Sequence, residues 1–282
     1  MIRTFKVSLL YVAMFCGFGG VADASNYSFF TSPPSTMSQG TIGFTFVGNK
    51  FVGTVLQNGT GSLYSTDLAG NNAQPFAPGV SLTSTTAEHY VAGSFGNGFS
   101  VGDLYAADGS NIIHIANNGT SLGTFVSGLS GEVRGIMFDQ GGTFGNQMLV
   151  TTSSGEVYTV SNGGVATALA NLSQNVEGLD IAPAGFGSYG GQLIVSSENG
   201  GGLFWAVKPN GSVTPLPFTV PSAEESTFVP LSLAPGNSTL VGLRDMNRRR
   251  KSATFWRRIY STAAGACVTL GVPVDKRLAG PA

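Results

Sequence analysis

"VYTVSNGGVATALA", residues 157–170, decides the fold. Apolar and polar residues alternate on either side of a Ser-Asn-Gly-Gly centre, so the segment reads as strand, turn, strand. Three more segments align with it: "LYSTDLAGNNAQPFA" (63–77), "IHIANNGTSLGTFV" (113–126) and "FWAVKPNGSVTPLP" (204–217). The turns carry Gly70, Gly119, Gly163 and Gly211. Asn118-Gly119, Asn162-Gly163 and Asn210-Gly211 predict two-residue type I′ hairpins, in which both central residues need positive φ.

Working outward, a second strand precedes each hairpin: "KFVGTVL" (50–56), "GDLYAAD" (102–108), "NQMLVTT" (146–152) and "GQLIVSS" (191–197). A third element precedes that strand in the later copies: "EHYVAGSFG" (88–96), "VRGIMFDQGGTFG" (133–145) and "VEGLDIAPAGFGSYG" (176–190). The unit is about four strands long and recurs every ~45 residues, the period of a propeller blade. A β-helix coil is much shorter, and a sandwich does not repeat internally. The expected fold is all-β, a β-propeller with about four recognisable four-stranded blades. The Phe residues of the "FGN", "FGS" and "GFTF" stretches are expected to pack between blades.

The "G-x-L-x-V" strand, the "V-Y-x-V-x-N-G" hairpin and the "E-G-L-D" run at Glu177 to Asp180 resemble the six-bladed propeller superfamily of NHL-repeat and gluconolactonase-like proteins. The resemblance covers roughly residues 42–240 and implies a six-bladed ring that is incomplete here. It also implies a function to test. In gluconolactonase-like propellers a Glu at such a Glu-Gly position binds a divalent cation in the central channel, and oxygen ligands suit Ca²⁺. Glu177 is then the first metal candidate, with Asp180 and Glu198 beside it. The matching positions of other copies hold His89 and Arg134, not acids. Asp103, Asp108 and Asp139 lie at strand ends. For all of these carboxylates the plainer reading is a polar cap on a strand end.

Other chemistry finds little support. The two histidines, His89 and His114, form no HExxH and pair with no cysteine motif. His114 alternates with Ile113 and Ile115, so it points to the opposite side of its strand. No G-x-S-x-G elbow is present. Glu88-His89 and Glu177 could form an acid/base pair if their blades align in the channel. The glycine-rich "GGTFGNQ" (141–147) and "GFGSYGG" (185–191) precede strands, whereas a dinucleotide loop opens a helix.

Composition agrees with strands and tight turns. Gly is 41 of 282 residues and only 10% are charged, against about a quarter in ordinary proteins. The net charge of -1 gives no field for nucleic acid. Arg3 and Lys6, the apolar run 7–21 and "ADA" (22–24) predict a cleaved signal peptide over 1–24 and a secreted or periplasmic protein. Cleavage removes Cys16, leaves Cys267 alone and leaves no integral membrane segment. A linker (25–41), the propeller (42–243) and a basic tail (244–282) follow. The tail holds nine of the 14 Lys and Arg residues and breaks the hairpin rhythm. Three readings of it stay open: a frame shift or truncation near 240, a solvated disordered tail, or a binding segment. Six N-x-S/T sequons, at Asn26, Asn58, Asn118, Asn171, Asn210 and Asn237, mark surface loops if the host glycosylates.

The expected role is a non-enzymatic binding scaffold for a small molecule, glycan or protein. A Ca²⁺-dependent lactonase-like hydrolase and an inactive truncated copy are the alternatives.

Overall fold

The computed structural model describes residues 33–35, 37, 41–55, 60–85, 88–221, 223, 225–228 and 267–270. The expected signal peptide, most of the linker, the tail apart from 267–270, and Asn26, Asn58, Asn237 and Trp256 lie outside the described residues.

The repeat becomes four antiparallel sheets, each a meander of four successive strands. Blade one is β1 (Thr41–Phe46), β2 (Phe51–Val55), β3 (Thr60–Thr66) and β4 (Gln74–Phe76), with β5 (Leu82–Thr83) also paired to β3. Blade two is β6 (Val91–Gly93), β7 (Leu104–Asp108), β8 (Asn111–Ile115) and β9 (Ser121–Val126). Blade three is β10 (Val133–Phe138), β11 (Met148–Thr152), β12 (Glu156–Val160) and β13 (Ala166–Asn171). Blade four is β14 (Leu179–Ile181), β15 (Leu193–Ser197), β16 (Leu203–Val207) and β17 (Val213–Pro215). A two-stranded sheet follows, β18 (Glu225–Phe228) with β19 (Cys267–Leu270). Residues 267–270 of the basic tail thus pair with the strand that follows blade four.

The first strands of successive sheets neighbour one another in the order β1, β6, β10, β14, β18. Among the described residues they line the inside of an arc that runs from β1 to β18. This is an incomplete β-propeller. Among the described residues no helix is long and apolar enough to cross a membrane.

The core lies between blades, because alternate residues of a central strand face opposite neighbours. In β7, Tyr105 and Ala107 join the cluster shared with blade three, while Leu104 and Ala106 join the one shared with blade one. In β11, Met148 and Val150 face blade two and Leu149 faces blade four. His114 follows the expected alternation. Its ring stacks on Tyr105 at 4.5 Å, whereas Ile113 and Ile115 pack toward blade one.

A polar tie supplements the apolar contacts. Thr151 on β11 donates to the Glu177 carbonyl at 2.8 Å, joining blade three to blade four. Thr54 on β2 donates to the His89 carbonyl at 2.5 Å, joining blade one to blade two. Gly135 and Gly43 leave room for these approaches: a Cβ on Gly135 would lie 2.4 Å from the Glu177 oxygen, and one on Gly43 2.7 Å from the His89 oxygen.

Two local expectations are corrected. The hairpins are not type I′. In each, a residue accepts from the N–H three positions on: Asp67 from Gly70, Ala116 from Gly119, Ser161 from Gly164 and Lys208 from Gly211. The central residues are absent from the positive-φ set, and only the glycine at the fourth position is left-handed. These are type I turns closed by a left-handed glycine, the three-residue hairpin. In blade three the left-handed residue is Gly164 (φ 79), not Gly163.

The aromatic expectation holds in part. Phe144 is buried between blades three and four. Phe95 is 48% exposed, and Phe99 takes the place between blades two and three, 4.9 Å from Phe138 and 5.7 Å from Tyr105. Phe44 and Phe46 flank Thr45, whose hydroxyl accepts from Gly93 of blade two at 3.0 Å. Both rings therefore point to the other side of β1, against Phe51 at 5.1 and 5.7 Å, and Phe46 at the strand end also meets Phe95 of blade two at 6.3 Å, an aromatic contact between blades.

Candidate functional site at the channel mouth

Each inner strand begins where the chain crosses over from the outer strand of the preceding blade. The residue preceding or opening the strand is therefore repeated around one mouth of the channel. The β1–β2 and β10–β11 pairings slip at that point, between Thr41 and Phe44 and between Val133 and Gly135. In blade three the bulge re-aims Arg134. The equivalent positions are Ile42, His89, Arg134 and Glu177.

Arg134 is the centre. Its side chain is 7% exposed and forms ion pairs with Glu88 of blade two and with Glu177 of blade four, the latter at 4.0 Å. Asn175 donates to Glu177 Oε1 at 3.1 Å. Glu88 and Glu177 thus do converge, but through an arginine rather than as an acid/base pair. His89 does not join them. It is fully buried, its ring lies over Gly61, and a Cβ there would be 2.3 Å from His89 Cδ2. Burial pushes the His89 imidazole below its ordinary pKa, opposed by the Ala107 backbone and the Asp108 and Glu132 charges.

Among the described residues, two buried polar atoms of this group make no hydrogen bond, Arg134 Nε and Asn175 Oδ1, and the buried His89 ring, away from the group, has none that meets full geometry. Arg134 Nη1 meets Glu88 as an ion pair without hydrogen-bond geometry. Ala107 approaches His89 in the same incomplete way. Buried polar groups are normally satisfied, so these two atoms call for a partner, an ordered water or a ligand atom.

The three metal candidates play different parts. Glu177 sits at the mouth, 3% exposed. Asp180 is turned to the next sheet. Its Oδ2 accepts from Thr227 at 3.0 Å and from the Phe228 N–H at 2.5 Å, and its Oδ1 accepts from the Ile181 N–H at 2.8 Å. Burial pushes its carboxyl up, and these hydrogen bonds pull it back. Glu198 precedes the single-turn 3-10 helix Asn199–Gly201 between β15 and β16. Among the described residues no group of three or more His, Cys, Asp and Glu side chains is placed to hold a metal ion.

The other acids cap strand ends and loops. Asp139 accepts from the N–H groups of Gly141, Phe144 and Asn146 at 3.1, 2.5 and 3.1 Å, which organises the glycine-rich 141–147 loop. Asp108 holds Thr83, and Glu132 holds Ser84 and Thr85, fixing the connection that leads from blade one to blade two. Asp103 accepts from the Asn117 N–H at 2.9 Å and lies 2.8 Å from His114 Nε2, at the opposite channel end.

Arg134 and Asn175 are the members that motif reasoning passes over. A usable signal was Arg134 itself, a lone charge inside "VRGIMF" at the position where blade four carries Glu177.

No protein-family model matches the chain, and no curated protein matches it. Solved structures do. One is a chain of the nidogen/laminin complex, 14% identical with a TM-score of 0.48, covering 64% of this chain and 63% of that one. Another is a protein from Lactobacillus plantarum, 15% identical with a TM-score of 0.43, covering 69% and 57%. A third is the WD40 β-propeller domain of Doa1, 15% identical with a TM-score of 0.44, covering 65% and 55%. The chain thus spans between 55% and 63% of these structures' lengths. The propeller fold itself rests on the four sheets and their inner-strand order.

Proposed function

We propose that this protein is an exported, non-enzymatic β-propeller scaffold that binds a polar ligand at the mouth formed by Glu88, Arg134, Asn175 and Glu177. The ligand is a small molecule, a glycan or a polar segment of a protein. The observation that carries this reading is the pair of unsatisfied buried atoms, Arg134 Nε and Asn175 Oδ1, beside the link from Glu88 through Arg134 to Glu177. A ligand offering both donors and acceptors would complete them. The carboxylates elsewhere serve the frame, through loop amides and hydroxyls.

A second reading follows from Glu177 and Asn175 as neighbouring oxygen donors, which suit Ca²⁺. It makes the protein a lactonase-like hydrolase of the gluconolactonase type. Arg134 beside Glu177 weighs against it, because a guanidinium repels a cation.

One titration series separates the readings. The mature chain is melted with calcium chloride, a panel of monosaccharides and short peptides of either charge. A ligand that binds only the folded state adds about 2.7 kcal/mol at roughly a hundredfold excess over its dissociation constant. A shift with a sugar or peptide, lost in Glu177→Gln and kept in Glu156→Gln, supports the scaffold. A calcium shift together with calcium-dependent hydrolysis of an aldonolactone replaces it with the enzyme. No shift with any probe removes the mouth as a binding site.

A further inference from the structure

Asn-Gly is a chemically labile pair as well as a turn signal. The glycine amide nitrogen can attack the asparagine Cγ, close a five-membered succinimide and expel ammonia. Water then opens the ring to aspartate or isoaspartate, with no oxidant or cofactor required. The attack needs a glycine N–H that is not engaged and a carboxamide free to turn onto it.

The hairpins offer a matched comparison. In the β8–β9 turn, the Gly119 N–H donates to the Ala116 carbonyl at 2.8 Å, and Asn118 Oδ1 accepts from the Thr120 N–H at 2.9 Å. In the β16–β17 turn, the Gly211 N–H donates to the Lys208 carbonyl at 2.9 Å, and Asn210 Oδ1 accepts from the Ser212 N–H at 3.1 Å. Nucleophile and electrophile are both tied in these two turns.

The β12–β13 turn is offset by one residue. Asn162 and Gly163 occupy the two central positions, and it is the Gly164 N–H that donates to Ser161, at 2.9 Å. The Gly163 N–H makes no hydrogen bond. The position is open: a Cβ on Gly163 would meet only Ser161 Oγ, at 3.8 Å. Asn162 is exposed, its Oδ1 accepts nothing, and its Nδ2 makes one long bond of 3.3 Å to the Gly98 carbonyl of blade two.

We propose that Asn162 is a spontaneous deamidation site, and that its conversion loosens the tip of the 94–103 loop of blade two around Gly98, while buried Phe99 keeps the rest of the loop in place. Aspartate at 162 exchanges the Nδ2 donor for a carboxylate facing the Gly98 carbonyl. That loop carries Phe95 and Val101, which are 48% and 76% exposed. Loosening it alters the face of the ring opposite the Arg134 mouth.

The test is a time course of the purified chain in mildly alkaline buffer, with chymotryptic peptides followed by mass spectrometry. Asn162 is expected to gain one mass unit several-fold faster than Asn118 and Asn210. In denaturant the three are expected to react at similar rates. Gly163→Ala is expected to slow Asn162 selectively without lowering the melting temperature. Equal rates in the folded chain overturn the proposal. So does a faster Asn162 in denaturant, because the sequence rather than the turn would then be the cause. Asn162→Asp tests the consequence: hydrogen exchange is expected to rise around Gly98 and stay unchanged in blade four, and no rise overturns the loosening.

Discussion

Blade three and blade one share a strand order but not a setting. In blade three, Met148 and Val150 pack toward blade two and Leu149 toward blade four. Arg134 extends the contact by pairing with an acid from each neighbour. In blade one, Val52 and Leu63 pack toward blade two, while on the other side half-buried Phe44 stacks on half-buried Phe51, and Phe46 lies against both Phe51 and Phe95 of blade two. Blade one stands at the end of the arc and blade three in its middle. The difference teaches that a blade's core is shared with its neighbours, so the same substitution should cost according to place in the arc.

The largest expected effect is at Arg134. Arg134→Ala leaves Glu177 buried without its cation, and such a loss costs about 3–5 kcal/mol. Combining Arg134→Met with Glu177→Gln is expected to recover most of that, since no buried charge is then left unpaired. Urea unfolding at unchanged m-value reads both. If Arg134→Ala is as stable as the parent, the pairing contributes nothing and blade three loses its electrostatic distinction.

Next comes the apolar contrast. Leu149→Ala removes a fully buried side chain between two blades and is expected to cost about 2–5 kcal/mol. Phe51→Ala removes a larger but half-buried ring and is expected to cost nearer the ordinary value of about 1 kcal/mol. Equal losses at the two sites would mean that the outer side of blade one is covered as well as blade three is.

The threonine ties sharpen the comparison further. Thr151→Val leaves the Glu177 carbonyl without its donor, at an expected cost of about 1–3 kcal/mol. Thr54→Val is expected to cost more within that range, because Thr54 also accepts from the Gly43 N–H at 2.8 Å. The reverse order would show that the tie matters more in the middle of the arc than at its end.

The blades were legible because each local signal pointed the same way: alternating apolar residues, a turn glycine and a fixed spacing. What the sequence hid is set by geometry between blades. Arg134 looks like a missing acid in the repeat, and only the positions of Glu88 and Glu177 reveal it as the link. Asp180 sits in the same short motif as Glu177, yet three residues along a twisted strand turn it to Thr227 and Phe228 instead. Phe95 and Phe144 share the motif "FGN" and differ in burial, because Phe99 four residues later fills the gap that Phe95 would otherwise occupy.

The hairpins show the limit of motif reading at single-residue scale, and they carry the smallest expected effect. An Asn-Gly pair predicts a two-residue turn, yet the strands are one residue farther apart and want a glycine at the fourth position. Asn118-Gly119 and Asn210-Gly211 place their glycine there, while Asn162-Gly163-Gly164 uses its second one. Gly164→Ala therefore forces a left-handed alanine, with its Cβ 2.4 Å from the Phe125 carbonyl. The left-handed conformation alone costs about 1–2 kcal/mol, and the approach to Phe125 adds to it. Gly163→Ala meets open space at an ordinary φ and is expected to be neutral or to stabilise by about 0.4–1 kcal/mol through the unfolded chain. Gly70→Ala in blade one, also left-handed at φ 81, is expected to cost like Gly164→Ala without the Phe125 contact. In the middle of the arc the turn glycine also packs on the blade before it, Gly164 on Phe125 of blade two and Gly211 on Leu169 of blade three, so here too the middle should lose more than the end.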